Sequence, residues 1–135
     1  SERLIVGPER ARRQFTALVG KARTSIRLID AKLSDPDLVS LLNAKRAAGT
    51  TVEIFSNRRL GEWRSHGKIM LIDDETVVVG SLALAAMSLD FRREVAIVVT
   101  EASAVADAVE LFKNIREAAA ESRVSAAGAA DEVLC

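Results

Sequence analysis

The sequence predicts an α/β fold: a mixed, mostly parallel β-sheet flanked by helices on both faces. Short apolar runs alternate with amphipathic helical stretches over residues 4–55, the order that builds βαβ units. Two more apolar runs, 68–72 and 76–79, flank an acidic turn. The 135 residues are 49% hydrophobic, enough to fill the core of one domain.

Leu4-Ile5-Val6 closes on Gly7-Pro8, a strand giving way to the first turn of a helix, where the fixed φ of proline is tolerated. Ala11, Phe15, Leu18, Val19 and Ala22 recur at helical spacing, with Arg10, Arg12, Arg13 and Lys21 largely off that stripe. This helix buries one side and turns a basic side outward. Residues 24–29 alternate as a strand does. Ser34-Asp35-Pro36 then supplies a cap and an N-terminal proline for a second helix through Leu38, Leu41, Leu42 and Lys45, stopped by Gly49.

Residues 51–55 read as the third strand, and the runs around Asp73-Asp74-Glu75 as a hairpin. Val95-Ala96-Ile97-Val98-Val99 hardly alternates, which predicts a strand buried on both faces. From about Ser103, Val105, Val109, Phe112 and Ile115 line one side of a last helix. The domain is expected to span residues 1–121, followed by an Ala-rich helix or tail over 122–135.

Nineteen Lys and Arg balance nineteen Asp and Glu. No global field draws the chain to polyanions, so tight non-specific nucleic-acid binding is not expected. With one cysteine, Cys135, and one histidine, His66, the chain has neither an internal disulfide nor a soft-ligand cluster for zinc. No apolar run approaches the roughly 20 residues of a membrane span. The expected location is the cytoplasm, with peripheral contact to a membrane where the substrate requires it.

The chemistry concentrates around the single histidine. At the start of a strand, His66 and Lys68 are two apart and point to the same face, so an imidazole and an ammonium share one surface. Asp73 follows after four residues and Gly80-Ser81 after six more, giving H-x-K-x4-D-x6-G-S. A glycine there lets the backbone come close to a ligand.

This pattern resembles the phospholipase D superfamily, whose motif has the same order and spacing and continues as G-S-x-N. Residues 88–99, SLDFRREVAIVV, are similar to the later family segment that supplies a glutamate just before a buried strand. The resemblance covers nearly everything except the tail and implies one half-domain of that fold.

The resemblance implies roles residue by residue. His66 attacks phosphorus and forms a phosphohistidine, dividing one difficult displacement into two easier ones. Lys68 neutralises the phosphoryl oxygens, and Glu94 accepts a hydrogen bond from the other ring nitrogen of His66. Gly80 and Ser81 hold the phosphate. Asp73 completes the catalytic set while shaping its turn. No metal or other cofactor is required. The family asparagine is Ala83 here, and losing such a donor costs on the order of 10²-fold in rate.

Family chemistry uses two facing histidines, and this chain has one. The other comes from a homodimer mate or from another part of a longer two-motif chain, with which the start at Ser1 agrees. The substrate implied first is a phospholipid, its headgroup bond hydrolysed or its phosphatidyl group passed to an alcohol. A nuclease of the same superfamily is the alternative, and a degenerate half that acts as a scaffold is the third reading. Arg58 and Arg59, before His66, either line the mouth and bind phosphate or are solvated loop charges. Trp63 packs beneath that segment, or stacks on a base or a lipid interface.

Overall fold

The computed structural model of the chain describes residues 2–30, 33–55, 68–82 and 84–134. In chain order these form β1 (Glu2–Val6), α1 (Ala11–Gly20), β2 (Ser25–Ile29), α2 (Pro36–Ala47) and β3 (Thr51–Phe55). The second part contributes β4 (Lys68–Ile72), β5 (Thr76–Gly80), α3 (Ala86–Asp90), β6 (Val95–Val99) and α4 (Ala102–Leu134).

The local signals around α2 act as read. The Asp35 carboxylate caps α2 by accepting the Leu38 N–H, and Pro36 follows in the first turn, where its missing N–H costs nothing. The chain leaves α2 through Gly49 at φ 102°, a backbone state that glycine adopts freely. Pro8 lies earlier than expected, in the turn before α1, after a cis Gly7–Pro8 bond. α4 runs unbroken into residues 122–134, the stretch expected as helix or tail.

Among the described residues the strands form one sheet in the order β1-β6-β5-β4-β2-β3. A mixed sheet with helices on both faces is what the sequence predicts; its parallel share is smaller than expected. Of the pairings, β2–β3 is parallel, while β1–β6, β6–β5, β5–β4 and β4–β2 are antiparallel. The reason is in the connections. The hairpin β4–β5 must be antiparallel, and β6 returns between β5 and β1, so β1 never meets β2. Strands β1, β2, β3 and β5 still run in one direction, and their carboxyl ends share one edge.

Alternation along each strand divides the interior into two cores. Ile5, Ile26, Leu28, Met70, Val78 and Val98 face α1 and α2, packing on Phe15, Leu18, Leu38 and Leu42. On the other face Ile29, Leu71 and Val77 meet Val105, Phe112 and Ile115 of α4. Arg12 of α1 ties this side of the fold together. Its guanidinium grips Asp90 at 2.8 Å and the buried Asp35 at 2.7 Å. These bonds raise the pKa of Arg12 and hold both carboxyls below their ordinary range.

One expectation is corrected. β6 is not buried on both faces: Ala96 and Val98 are inside, but Val95 and Ile97 are 45% and 44% exposed. α4 packs mainly on β4 and β5, and Leu4 of β1 and Val79 of β5 flank Ile97 in register on the same open face. The short helix α3, which the sequence reading missed, has no side-chain cap bond to announce it. Among the described residues no helix is long and apolar enough to cross a membrane.

Candidate active site

Motif residues gather where β1, β2, β3 and β5 end. That edge carries the ends of β2 and β5 and the starts of β4 and β6. Lys68, half-buried, opens β4 and faces Gly80 across the β4–β5 pair. Gly80 in turn faces Ala96 on β6. The three form a row on one face of the sheet, about 10 Å across at ordinary strand spacing.

Close approach explains the glycine. A Cβ on Gly80 would stand 2.2 Å from the Val95 carbonyl oxygen and 2.6 Å from the Ala96 Cα. Both are backbone atoms and cannot rotate away. Ser81 continues the join: its N–H donates to the Val95 oxygen at 2.9 Å, and its Oγ accepts from the Val95 N–H at 3.3 Å. Glu94 precedes β6, its carbonyl accepting the Gly7 N–H at 2.8 Å and its carboxylate 3.8 Å from an Arg92 nitrogen. Lys68, Gly80, Ser81 and Glu94 therefore come together at one edge.

Asp73 does not join them, a correction to its place in the catalytic set. It lies at the other end of β4, about 17 Å from Lys68 for five residues of strand. Its Oδ1 accepts from the N–H groups of Arg23, Thr24 and Ser25 at 2.7–3.1 Å and from the Thr24 hydroxyl at 3.0 Å. Asp73 and Asp74 both have positive φ, 54° and 52°, which Asp tolerates better than most residues. The motif aspartate thus fastens the hairpin turn to the chain entering β2.

Burial alone would raise the Asp73 pKa, but the backbone hydrogen bonds from Ser25, Thr24 and Arg23 outweigh it and leave it below the ordinary 3.8. A depressed carboxylate stabilises the fold above its unfolded pKa and loses that contribution as pH falls through its lower folded value. Asp73→Ala is expected to lower stability by about 2–3 kcal/mol at neutral pH. The gap to the native chain narrows below about pH 4, and activity per folded molecule is unchanged. Melting curves across pH, with activity assayed well below the transition, check all three.

His66, Arg58, Arg59, Trp63 and Ala83 lie outside the described residues. The structure adds a residue that sequence reasoning missed. Asp30 directly follows β2, is 1% exposed, and lines with Lys68, Gly80 and Leu84 a cavity of about 10 Å³, roughly the room of one water molecule. The only trace in the sequence is an acid directly after the alternating run SIRLI, which by itself does not mark a site. Among the described residues no group of three or more His, Cys, Asp or Glu side chains is placed to hold a metal ion.

Residues 55–116 match the family model described as cardiolipin synthase, PLD-like domain, where PLD stands for phospholipase D. No curated protein matches the sequence. Among solved structures, NucT from Helicobacter pylori superposes with a TM-score of 0.74 at 17% identity, over 87% of this chain and 96% of that one. Nuc from Salmonella typhimurium, described as a phospholipase D family member, gives 0.75 at 21% identity over 87% and 94%. TrmBL2, an archaeal chromatin protein described with a novel mode of DNA binding, gives 0.60 at 14% identity over 87% of this chain and 53% of that one. The fold of this chain is similar to all three.

Proposed function

From the match of residues 55–116 to a PLD-like family model and the likeness in fold to a phospholipase D family member, we propose a phosphodiesterase that works through a phosphohistidine and takes a phospholipid as substrate. The observation that carries it is the order H-x-K-x4-D-x6-G-S, with Lys68, Gly80, Ser81 and Glu94 at one sheet edge. The lipid class is supported by the cardiolipin synthase description of the matching family and by the absence of net positive charge.

In the proposed reaction the neutral His66 imidazole attacks phosphorus, and the bond to the leaving alcohol breaks as that oxygen takes a proton. Water or a second alcohol then attacks the phosphohistidine and frees the imidazole. Lys68 balances charge on the phosphoryl oxygens in both steps. Glu94 holds the ring nitrogen that does not attack. The proton for the leaving group comes from a histidine in a second half, supplied by another copy or by another part of a longer chain, and that histidine takes a proton back from the water or alcohol that attacks in the second step.

A nucleic-acid diester is the second reading, favoured by likeness in fold to a chromatin protein with a mode of DNA binding. Turnover of a chromogenic diester tests the reaction class. Phosphatidylglycerol vesicles set against single-stranded DNA then test the substrate. Hydrolysis of DNA with binding that falls steeply in salt favours the second reading; no diester turnover in any oligomeric state rejects both.

Ala83 offers a gain-of-function test. Ala83→Asn restores the family's G-S-x-N and is expected to raise kcat on the chromogenic diester by on the order of 10²-fold. An unchanged kcat would mean that no donor is missing at that position.

A further inference from the structure

Directly after β2 comes an aspartate that its surroundings must compensate. Asp30 is 1% exposed, and a carboxylate removed from water is stable only where donors replace its hydration. One donor is the Leu84 N–H, 2.7 Å from Oδ2 and 54 positions along the chain. Leu84 is held from the other side as well, its carbonyl accepting the Ser34 and Asp35 N–H groups, each at 3.0 Å. Leu82 and Leu84 are themselves buried, so the chain is fastened close to Ser81.

The register relates this fastening to the lysine. Ile29 faces Ile69 across the β2–β4 pair, so the next position outward sets Asp30 beside Lys68. Asp30 continues the alternation of Ile26 and Leu28, and Lys68 that of Met70 and Ile72, so both lie on the same side of the sheet. Asp30, Lys68 and Gly80 line one cavity.

We propose that Asp30 is a positioning residue of this site, holding Leu84, and through it the nearby Ser81 and Leu82, so that their polar groups meet a bound phosphate in register with Lys68. The inference rests on the phosphodiesterase reading for the identity of the ligand. A charged acceptor suits the task because it makes a shorter and stronger bond to a backbone N–H than a neutral one does. Small misplacements of groups around a reacting phosphate are costly, about 10²-fold for 1 Å.

Asp30→Ala and Asp30→Asn separate the holding role from general packing. The measurements are exchange of the Leu84 amide, affinity for inorganic phosphate, and kcat and KM on the chromogenic diester, all well below each variant's melting temperature. In Asp30→Ala the Leu84 amide loses protection, phosphate affinity falls about tenfold or more, and kcat falls further than KM rises. Asp30→Asn keeps an acceptor oxygen and recovers most of the amide protection, phosphate affinity and kcat.

Phosphate affinity and kcat per folded molecule that stay native in Asp30→Ala would overturn the proposal, leaving Asp30 as packing alone. It is equally overturned if Asp30→Asn protects Leu84 but binds phosphate as poorly as the alanine variant. A native chain that binds phosphate without turning over the diester removes the phosphodiesterase reading, and the affinity comparison still decides the role of Asp30. A native chain that binds no phosphate overturns both.

Discussion

His66→Ala is expected to lower diester turnover by about 10⁴-fold or more, the size of loss seen when a covalent nucleophile is removed from a set that acts as a unit. The chain contains no other histidine to take over the attack. Under the proposed mechanism the native protein should also yield an acid-labile phosphorylated species during turnover, and the variant none. Mixtures add a test of the partner half. If two copies share one site and each must bring its histidine, an equal mixture of native and variant chains keeps about a quarter of native activity after exchange, rather than half. Half would mean that each chain acts by itself or with a half of different sequence. Full activity in His66→Ala alone would end the phosphohistidine proposal.

What was legible in the sequence was what neighbouring residues decide among themselves. The cap and proline of α2, the stop at Gly49 and the acidic hairpin turn all depend on a few consecutive side chains and backbone angles, and all stand where the pattern puts them. What depended on partners far along the chain was misread. The run 95–99 is apolar at every position although Val95 and Ile97 face solvent, and no pattern within it tells that α4 packs mainly on β4 and β5. β1 pairs with β6 rather than β2, a choice made by the return of residues 95–99 and invisible in residues 2–29.

The site follows the same division. A linear motif placed Asp73 with Lys68, while five residues of extended strand separate them to opposite ends of β4. The same extension that removes Asp73 brings Gly80 back opposite Lys68 through the hairpin, and carries Glu94 to the start of the next strand. Asp30 was missed because its meaning lies in a hydrogen bond to Leu84, in another part of the chain. A single acid after a strand has no local signature.

Gly80→Ala is expected to damage fold and site together. The added methyl would meet the Val95 carbonyl oxygen and the Ala96 Cα well inside contact distance, so β6 must move. Its freedom to do so is small, since β1 pairs with it along its whole length from the other side. Forcing one carbon into such a place costs on the order of 3 kcal/mol, or about 10 °C in melting temperature for a domain of this size. Any shift of β6 also draws Val95 away from Ser81 and carries Glu94 with it, so turnover by the molecules still folded should fall about 10²-fold. Gly20→Ala is the control, because a Cβ there meets nothing within 4 Å. That substitution at the end of α1 should leave the melting temperature within a few degrees of native, about the size of a Gly-to-Ala helix effect. If Gly80→Ala melts with it, β6 does not approach β5 as closely as the site requires, and the glycine of the motif owes its place to something other than the packing of these two strands.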